Sequence, residues 1–328
     1  MKGLTQKLLL SILTVVITTI ALGTTTFAWF TVTNTARVQE FEAEVVGDSG
    51  IEISFDEIAW YTSMSKEVVE YYLFTNTNPN TGYQGANFRF DHVTSPNGVT
   101  INGLGDSQAG RYLDFTLYFR SPNLTNIYLT NLTLTSPELQ SWTSNVDFIL
   151  ANGDDADAGS TYGGFQAANA ARISFVGSGV AAPIVYENPS AGGNFVLGGH
   201  TNVAFAEEIL DDGVGTGEYG PATDNPELFR GAVSYYVAST TEPPFGYGSV
   251  TVANTITNLN SVNDDNEDVI GLLVAVLTED EDSGYNTGTV RIRVWLEGWD
   301  PDTYNSILDG KIGLSFTFKD EPDLVETP

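Results

Sequence analysis

The chain has 328 residues, with 42 aspartates and glutamates against 13 lysines and arginines, a formal net charge of −29 and no cysteine. Thiol nucleophiles, disulfides and Cys-ligated zinc are therefore excluded, and so acidic a surface repels nucleic acid and anionic lipid. A content of 41% hydrophobic and 12% aromatic residues excludes a disordered polyanion, and a chain this long can bury a large core without cross-links.

In chain order, the first element has the layout of a secretory leader. Lys2 and Lys7 lead into the apolar run 8–17, and Thr26-Phe27-Ala28 puts small residues at −3 and −1 of a cut between Ala28 and Trp29. Residues 1–28 would then leave as a signal peptide, with signal peptidase as a partner during export. The rival reading keeps the segment as a membrane anchor, because no charge occurs between Lys7 and Arg37. Gly23-Thr24-Thr25-Thr26 is poor hydrocarbon-spanning material and favours cleavage.

Beyond the cut, Phe30, Val32, Ala36 and Val38 share one parity, interrupted by Asn34, while Phe41, Ala43 and Val45 share the other. One continuous strand cannot turn both sets to the same face. Residues 29–38 and 41–45 are therefore separate elements, or are parted by a bulge near Gln39-Glu40. A detached first segment could add to another molecule's sheet; the competing fate is the chain's own first strand.

Further along, 41–45 and the set Ile51, Ile53, Phe55 read as a hairpin across Gly47-Asp48-Ser49-Gly50. Residues 60–72 have some 3.6-residue spacing, although 68–72 have strand composition. Alternation predicts strands at Leu113, Phe115, Leu117 and Phe119, and at Ile127, Leu129, Leu132 and Leu134 with a bulge between the two pairs. It also predicts strands at Val233, Tyr235 and Val237, at Val290, Ile292, Val294 and Leu296 with Arg291 and Arg293 opposite, and at Ile312, Leu314, Phe316 and Phe318. The run 270–277 reads as a strand buried on both faces. Residues 303–308 could form one helical turn.

The polar segments 75–85, 151–164, 211–226, 260–268 and 278–288 read as loops, and the tail 320–328 as loose. The pattern is all-β: a jelly-roll-like β-sandwich over 41–319, with long insertions at about 135–265. A signal-peptide helix (1–28) and a candidate donor strand (29–40) precede it.

Catalytic signatures are scarce. His92 and His200 are the two histidines; they form no H-E-x-x-H pair, and no Gly-x-Ser-x-Gly elbow is present. His92 beside Asp91 reads as a surface turn pair, and His200 after Gly198-Gly199 as loop. Glu297 and Asp300 flanked by Trp295 and Trp299 imitate a glycosidase or sugar-binding site; the plainer reading is a strand end and turn at Trp299-Asp300-Pro301-Asp302. The acidic runs supply Asp154, Asp155, Asp157, Asp264, Asp265 and Asp268 as candidate calcium ligands, with Glu279-Asp280-Glu281-Asp282 as a third cluster. Such runs are more often solvated loops, and no other cofactor is indicated.

Several segments, in order, resemble the TasA/camelysin family. Thr26-Phe27-Ala28 followed by Trp29-Phe30-Thr31 is similar to that family's cleavage region. Val38-Gln39-Glu40-Phe41-Glu42-Ala43 leading to Ile51-Glu52-Ile53-Ser54 resembles its first-strand segment. Leu113 to Phe119 with Asn126-Ile127-Tyr128-Leu129 resembles its central hairpin, and the strand from Arg291 to Gly298 its late core strand. The likeness covers the N-terminal third and the C-terminal strand pair; the middle is unmatched.

The resemblance implies a secreted jelly-roll subunit of a surface or biofilm-matrix fibre, not an enzyme. Its partner would be itself, as a homopolymer joined through Phe30, Val32, Ala36 and Val38, with cell-wall or matrix components beyond that. Some camelysin-like relatives are described as proteases, a role the histidine count does not support. The alternative is a monomeric or membrane-tethered adhesin or glycan-binding module using Trp295, Glu297, Trp299 and Asp300.

Overall fold

The computed structural model describes residues 37–45, 50–74, 90, 92–104, 112–188, 203–205, 230–240, 248–250, 252–263, 267–308 and 310–325. All of them belong to the second of two compact units, Asn34–Pro328. The leader, the cut between Ala28 and Trp29, and Phe30, Val32 and Ala36 lie outside the described residues.

Two sheets carry the fold. The first has five strands in the order β18 (Leu272–Val276), β7 (Asn126–Thr135), β21 (Lys311–Lys319), β1 (Arg37–Val45) and β3 (Ser63–Met64). β21 runs antiparallel to β7 and parallel to β1. The second sheet follows the path β13 (Ile184–Glu187), β12 (Ala171–Gly177), β20 (Tyr285–Glu297), β4 (His92–Thr94) and β5 (Asn102–Gly103). β6 (Leu113–Ser121) and β19 (Thr278–Asp280) also pair with β20, and β2 (Glu52–Ser54) pairs with β6.

The alternating apolar residues of both sheets make one core. Phe115, Leu117, Phe119, Ile173, Phe175, Ile292 and Val294 from one side bury with Ile127, Leu129, Ile312, Leu314, Phe316 and Phe318 from the other. Edge-on ring pairs lock the layers together, Phe119 with Phe318 at 5.1 Å and Phe175 with Phe316 at 5.6 Å. The protein is an all-β sandwich, two sheets face to face around a shared core.

The bulge expected near Gln39-Glu40 is present. Val38 pairs with Ile312 and Glu40 with Gly313, so Gln39 is the extra residue. The insertion brings Val38, Phe41, Ala43 and Val45 to register positions opposite Ile312, Leu314, Phe316 and Phe318. A boundary at residue 40 would thus cut through β1, and the backbone of Val38 pairs within its own chain. The slip between Leu129 and Leu132 is likewise a bulge, with Thr130 unpaired between Leu129↔Phe318 and Asn131↔Thr317.

Several expectations are corrected. β1 and β2 form no hairpin; they pair with β21 and β6 in different sheets. Residues 66–74 are helix α1 (Lys66–Phe74), which buries Val69 and Leu73 one turn apart. The strand expected at Val233, Tyr235 and Val237 is helix α2 (Gly231–Thr240). Ala232, Val233, Ser234, Tyr235 and Val237 are all buried there, and a helix buried nearly all round shows no periodicity that separates it from a strand. Gly231, at φ 54°, begins α2 where a side chain would collide with the carbonyl of Pro301.

The run 270–277 is interrupted at Gly271, φ 153°. Before it, β17 (Asp268–Ile270) joins a separate three-stranded sheet with β16 (Asn260–Val262) and β22 (Asp323–Leu324). After it, β18 is an edge strand in which Leu272, Leu273 and Val276 are only half-buried. The tail is therefore partly tied down through β22. The expected loop 151–164 holds β10 (Asp155–Ala156), paired with β9 (Phe148–Ile149), and the start of β11 (Thr161–Phe165), paired with β8 (Gln140–Thr143). The expected loops 260–268 and 278–288 hold β16 and the β19–β20 hairpin. β14 (Val203–Phe205) and β15 (Gly248–Val250) form a further pair. The turn expected within 303–308 is a 3-10 turn, Asn305–Ile307.

Candidate functional site

The most unusual chemistry lies on the outer face of the second sheet. Residues of β12 alternate, so Ile173 and Phe175 enter the core and Arg172 takes the opposite face. Arg172 is in register with Glu187 of β13 and Trp295 of β20, and directly opposed residues of an antiparallel pair share a face. Glu297 follows two residues after Trp295. Such a face is ordinarily solvated, yet Arg172, Glu187, Trp295 and Glu297 are all buried. The cover comes from the turn 298–304 and from 252–256, whose backbone bonds Ala253 to Ser95 and Ile256 to Val185 and Glu187.

Arg172 is the hub. Its Nε lies 3.1 Å from Glu187 Oε2, and one Nη donates to Asp300 Oδ2 at 2.5 Å. The other Nη donates to the carbonyls of Asn169 and Ala171, at 3.2 and 3.0 Å. Glu297 accepts from Trp295 Nε1 at 3.1 Å and from the backbone N–H groups of Ser95 and Trp299, both at 3.4 Å. Asp300 Oδ1 accepts the Asp302 N–H at 2.8 Å, and the Thr303 hydroxyl donates to the Glu297 carbonyl at 2.7 Å. One guanidinium thus faces four carboxyl groups, those of Glu187, Glu297, Asp300 and Asp302.

Burial in low dielectric disfavours an unpaired charge, and the carboxyls respond. Burial pushes Glu297 up to about 7 against the hydrogen bonds from Thr94 and Trp295 and the pull of Arg172. Glu187 and Asp300 are also raised by burial, with Arg172 opposing in each case. Asp302 rises to about 7 through burial and repulsion from Asp300, although one edge of it still reaches solvent. For Arg172, burial works against the charge, but Asp300, Glu187 and Glu297 more than offset it and hold the guanidinium charged.

The sugar-binding reading of this region is corrected. Trp295 is 0% exposed and Trp299 6%, so neither offers a ring face to a glycan. Trp299-Asp300-Pro301-Asp302 is the expected strand end and turn, with Asp300 N–H on the Glu297 carbonyl at 3.0 Å. His92 is no turn residue; it opens β4 in register with Leu296. Asp91 and His200 lie outside the described residues.

The calcium candidates do not converge. Asp154, Asp155 and Asp157 are exposed; Asp154 Oδ2 accepts from Asn152 at 2.7 Å, and Asp155 belongs to β10. Asp268 begins β17, and Asp264 and Asp265 lie outside the described residues. Asp280 binds the Ser283 hydroxyl and the Asp282 N–H within its own turn. Among the described residues, no group of three or more His, Asp or Glu side chains is arranged to hold a metal ion.

Sequence reasoning named Glu297 and Asp300 but missed Arg172 and Glu187. A signal existed: basic residues number only 13, and one of them sits inside the strand-like run Ala171-Arg172-Ile173-Ser174-Phe175. A second pairing was also missed: buried Asp114 is bound bidentately by exposed Arg291 at 2.7 and 2.6 Å and by buried Arg293 at 3.3 Å. Compared with known proteins, the chain matches no family model, no curated protein and no solved structure. Among the described residues no helix is long and apolar enough to cross a membrane.

Proposed function

We propose that this protein is a non-enzymatic structural subunit of an extracellular or cell-surface fibre, exported, cut after Ala28 and joined to copies of itself through residues 29–36. The TasA/camelysin resemblance and the jelly-roll form of the sandwich belong to the same proposal. The observation that carries it is the position of β1. Among the described residues the strand pairs along its length with β21 on one side, and on the other side through Ala43 and Glu44 alone, with Ser63 and Met64 of β3. An open strand edge is a template for another chain, and the apolar ribbon at Phe30, Val32 and Ala36 immediately precedes it. Strand addition uses backbone hydrogen bonds for affinity and alternate side chains for register. Because Val38 already pairs with Ile312, the exchanged segment ends before Arg37.

The test is electron microscopy of the processed protein, whole and lacking 29–36. The full-length form should make filaments and the truncated form a folded, unpolymerised particle. Filaments that persist without 29–36 would refute the mechanism, and N-terminal sequencing of exported protein checks for a start at Trp29.

A further inference from the structure

The acid cluster is joined to α2 and to a small aromatic cluster of the same compact unit. The turn 298–304 accepts an N–H from the first turn of α2, Ala232 to the Pro301 carbonyl at 2.7 Å. It also carries Tyr304, which packs with Trp142, Phe148, Phe165 and Tyr235 in an aromatic satellite core. Asn305 Nδ2 donates to the Tyr235 hydroxyl at 2.8 Å. Whatever seats this turn against β12 and β13 therefore seats α2 and the satellite core. The seat consists of Arg172, Glu187, Glu297, Asp300 and Asp302.

We propose that this cluster is a proton-operated latch: protons held on its surplus carboxyl groups keep the turn 298–304 seated, and their loss as pH rises through neutrality frees α2 and the satellite core ahead of the main sandwich. The geometry demands it. One guanidinium cannot balance the buried Glu187, Glu297 and Asp300 together with the half-buried Asp302, and an uncompensated buried charge is strongly unfavourable. Among the described residues, the groups facing the cluster add no second cation at the hub. β13 contributes Glu187, the turn contributes Tyr304, 166–170 contributes Asn169, whose side chain bonds Asp302, and 252–256 contributes Thr255, whose side chain bonds Glu187; Tyr186, in register with Ile173, lies on the core side. His92 of β4 stands in register with Leu296, one residue from Glu297. Each released proton passes to bulk water and leaves a carboxylate behind; the solvent-facing edge of Asp302 is the way out.

The sign follows from linkage. Glu297 is raised in the folded state from an ordinary 4.5 to about 7. The folded form therefore binds more protons than the opened form between those limits, and closure weakens as pH rises through that window. Asp302, raised for the same reason, acts in the same direction.

The experiment is amide hydrogen exchange on the full chain, corrected for intrinsic rate. Protection of 231–240 and 142–165 should fall about tenfold or more from pH ~5.5 to pH ~8.5, while β6 and β21 hold steady. The double variant E297Q/D302N should keep the same protection across that range, and D282N, at an exposed turn, should follow the parent. Wild-type protection that does not change with pH, or a fall that persists undiminished in E297Q/D302N, overturns the latch. If the double variant does not fold, a carboxyl-resolved NMR titration of the parent decides: a Glu297 carboxyl titrating with exposed glutamates overturns it, and one titrating well above them supports it.

Discussion

The two regions that meet at β20 are built on opposite principles. On its inner face Val290, Ile292, Val294 and Leu296 join a core of aliphatic and aromatic side chains whose partners are interchangeable in chemistry if not in shape. On its outer face Arg293, Trp295 and Glu297 are equally buried, but each depends on a named partner: Asp114, Glu297 and the backbone of Ser95 and Trp299. An apolar core tolerates substitution in proportion to lost volume, whereas a buried polar cluster fails when one member is left alone. The first holds the two sheets together, and the second attaches the turn 298–304 and what rests on it.

Substitutions can break that contrast. The largest effect is expected inside the sandwich: Phe316→Ala, between Phe175 and Phe318, should cost about 3–5 kcal/mol of global stability in chemical denaturation and lower every probe together. A split transition in this variant would mean that the sheets are not one cooperative unit. Arg172→Ala should cost up to about 3–5 kcal/mol, because it strands Glu187 and Asp300 without a counter-charge. Unlike the phenylalanine, its penalty should grow as pH rises, which thermal melts on either side of neutrality would show; a pH-independent loss would make Arg172 a mere space-filler. Tyr235→Phe should be mildest, about 1 kcal/mol, through loss of the bonds to Asn145 and Asn305. Its effect should be confined to the exchange of 231–240, and a uniform effect would contradict a separate satellite core.

Legibility followed the same divide. β6, β20 and β21 could be read directly, because their alternating residues bury on one shared face and period two is a local property of the chain. The bulge at Gln39 was readable for the same reason, as a change of parity between Val38 and Phe41. α2 was not, since its apolar residues are covered on several sides, and the hairpin expected of β1 and β2 failed because turn signals do not say which sheet a strand joins. Of the cluster, Glu297 and Asp300 stood out beside their tryptophans, but they suggested a sugar site because burial was invisible.

Taken alone, the amino-acid order determined a cysteine-free, strongly acidic all-β protein, its principal core strands and the parity break before its first body strand, all consequences of composition and neighbour spacing. Only the folded chain decided which outward-facing polar residues lose their water. Arg172 meets Asp300 across 128 positions, Glu297 meets Ser95 across 202 and Arg293 meets Asp114 across 179. Desolvation depends on what the rest of the molecule lays over a side chain, and no local pattern records that.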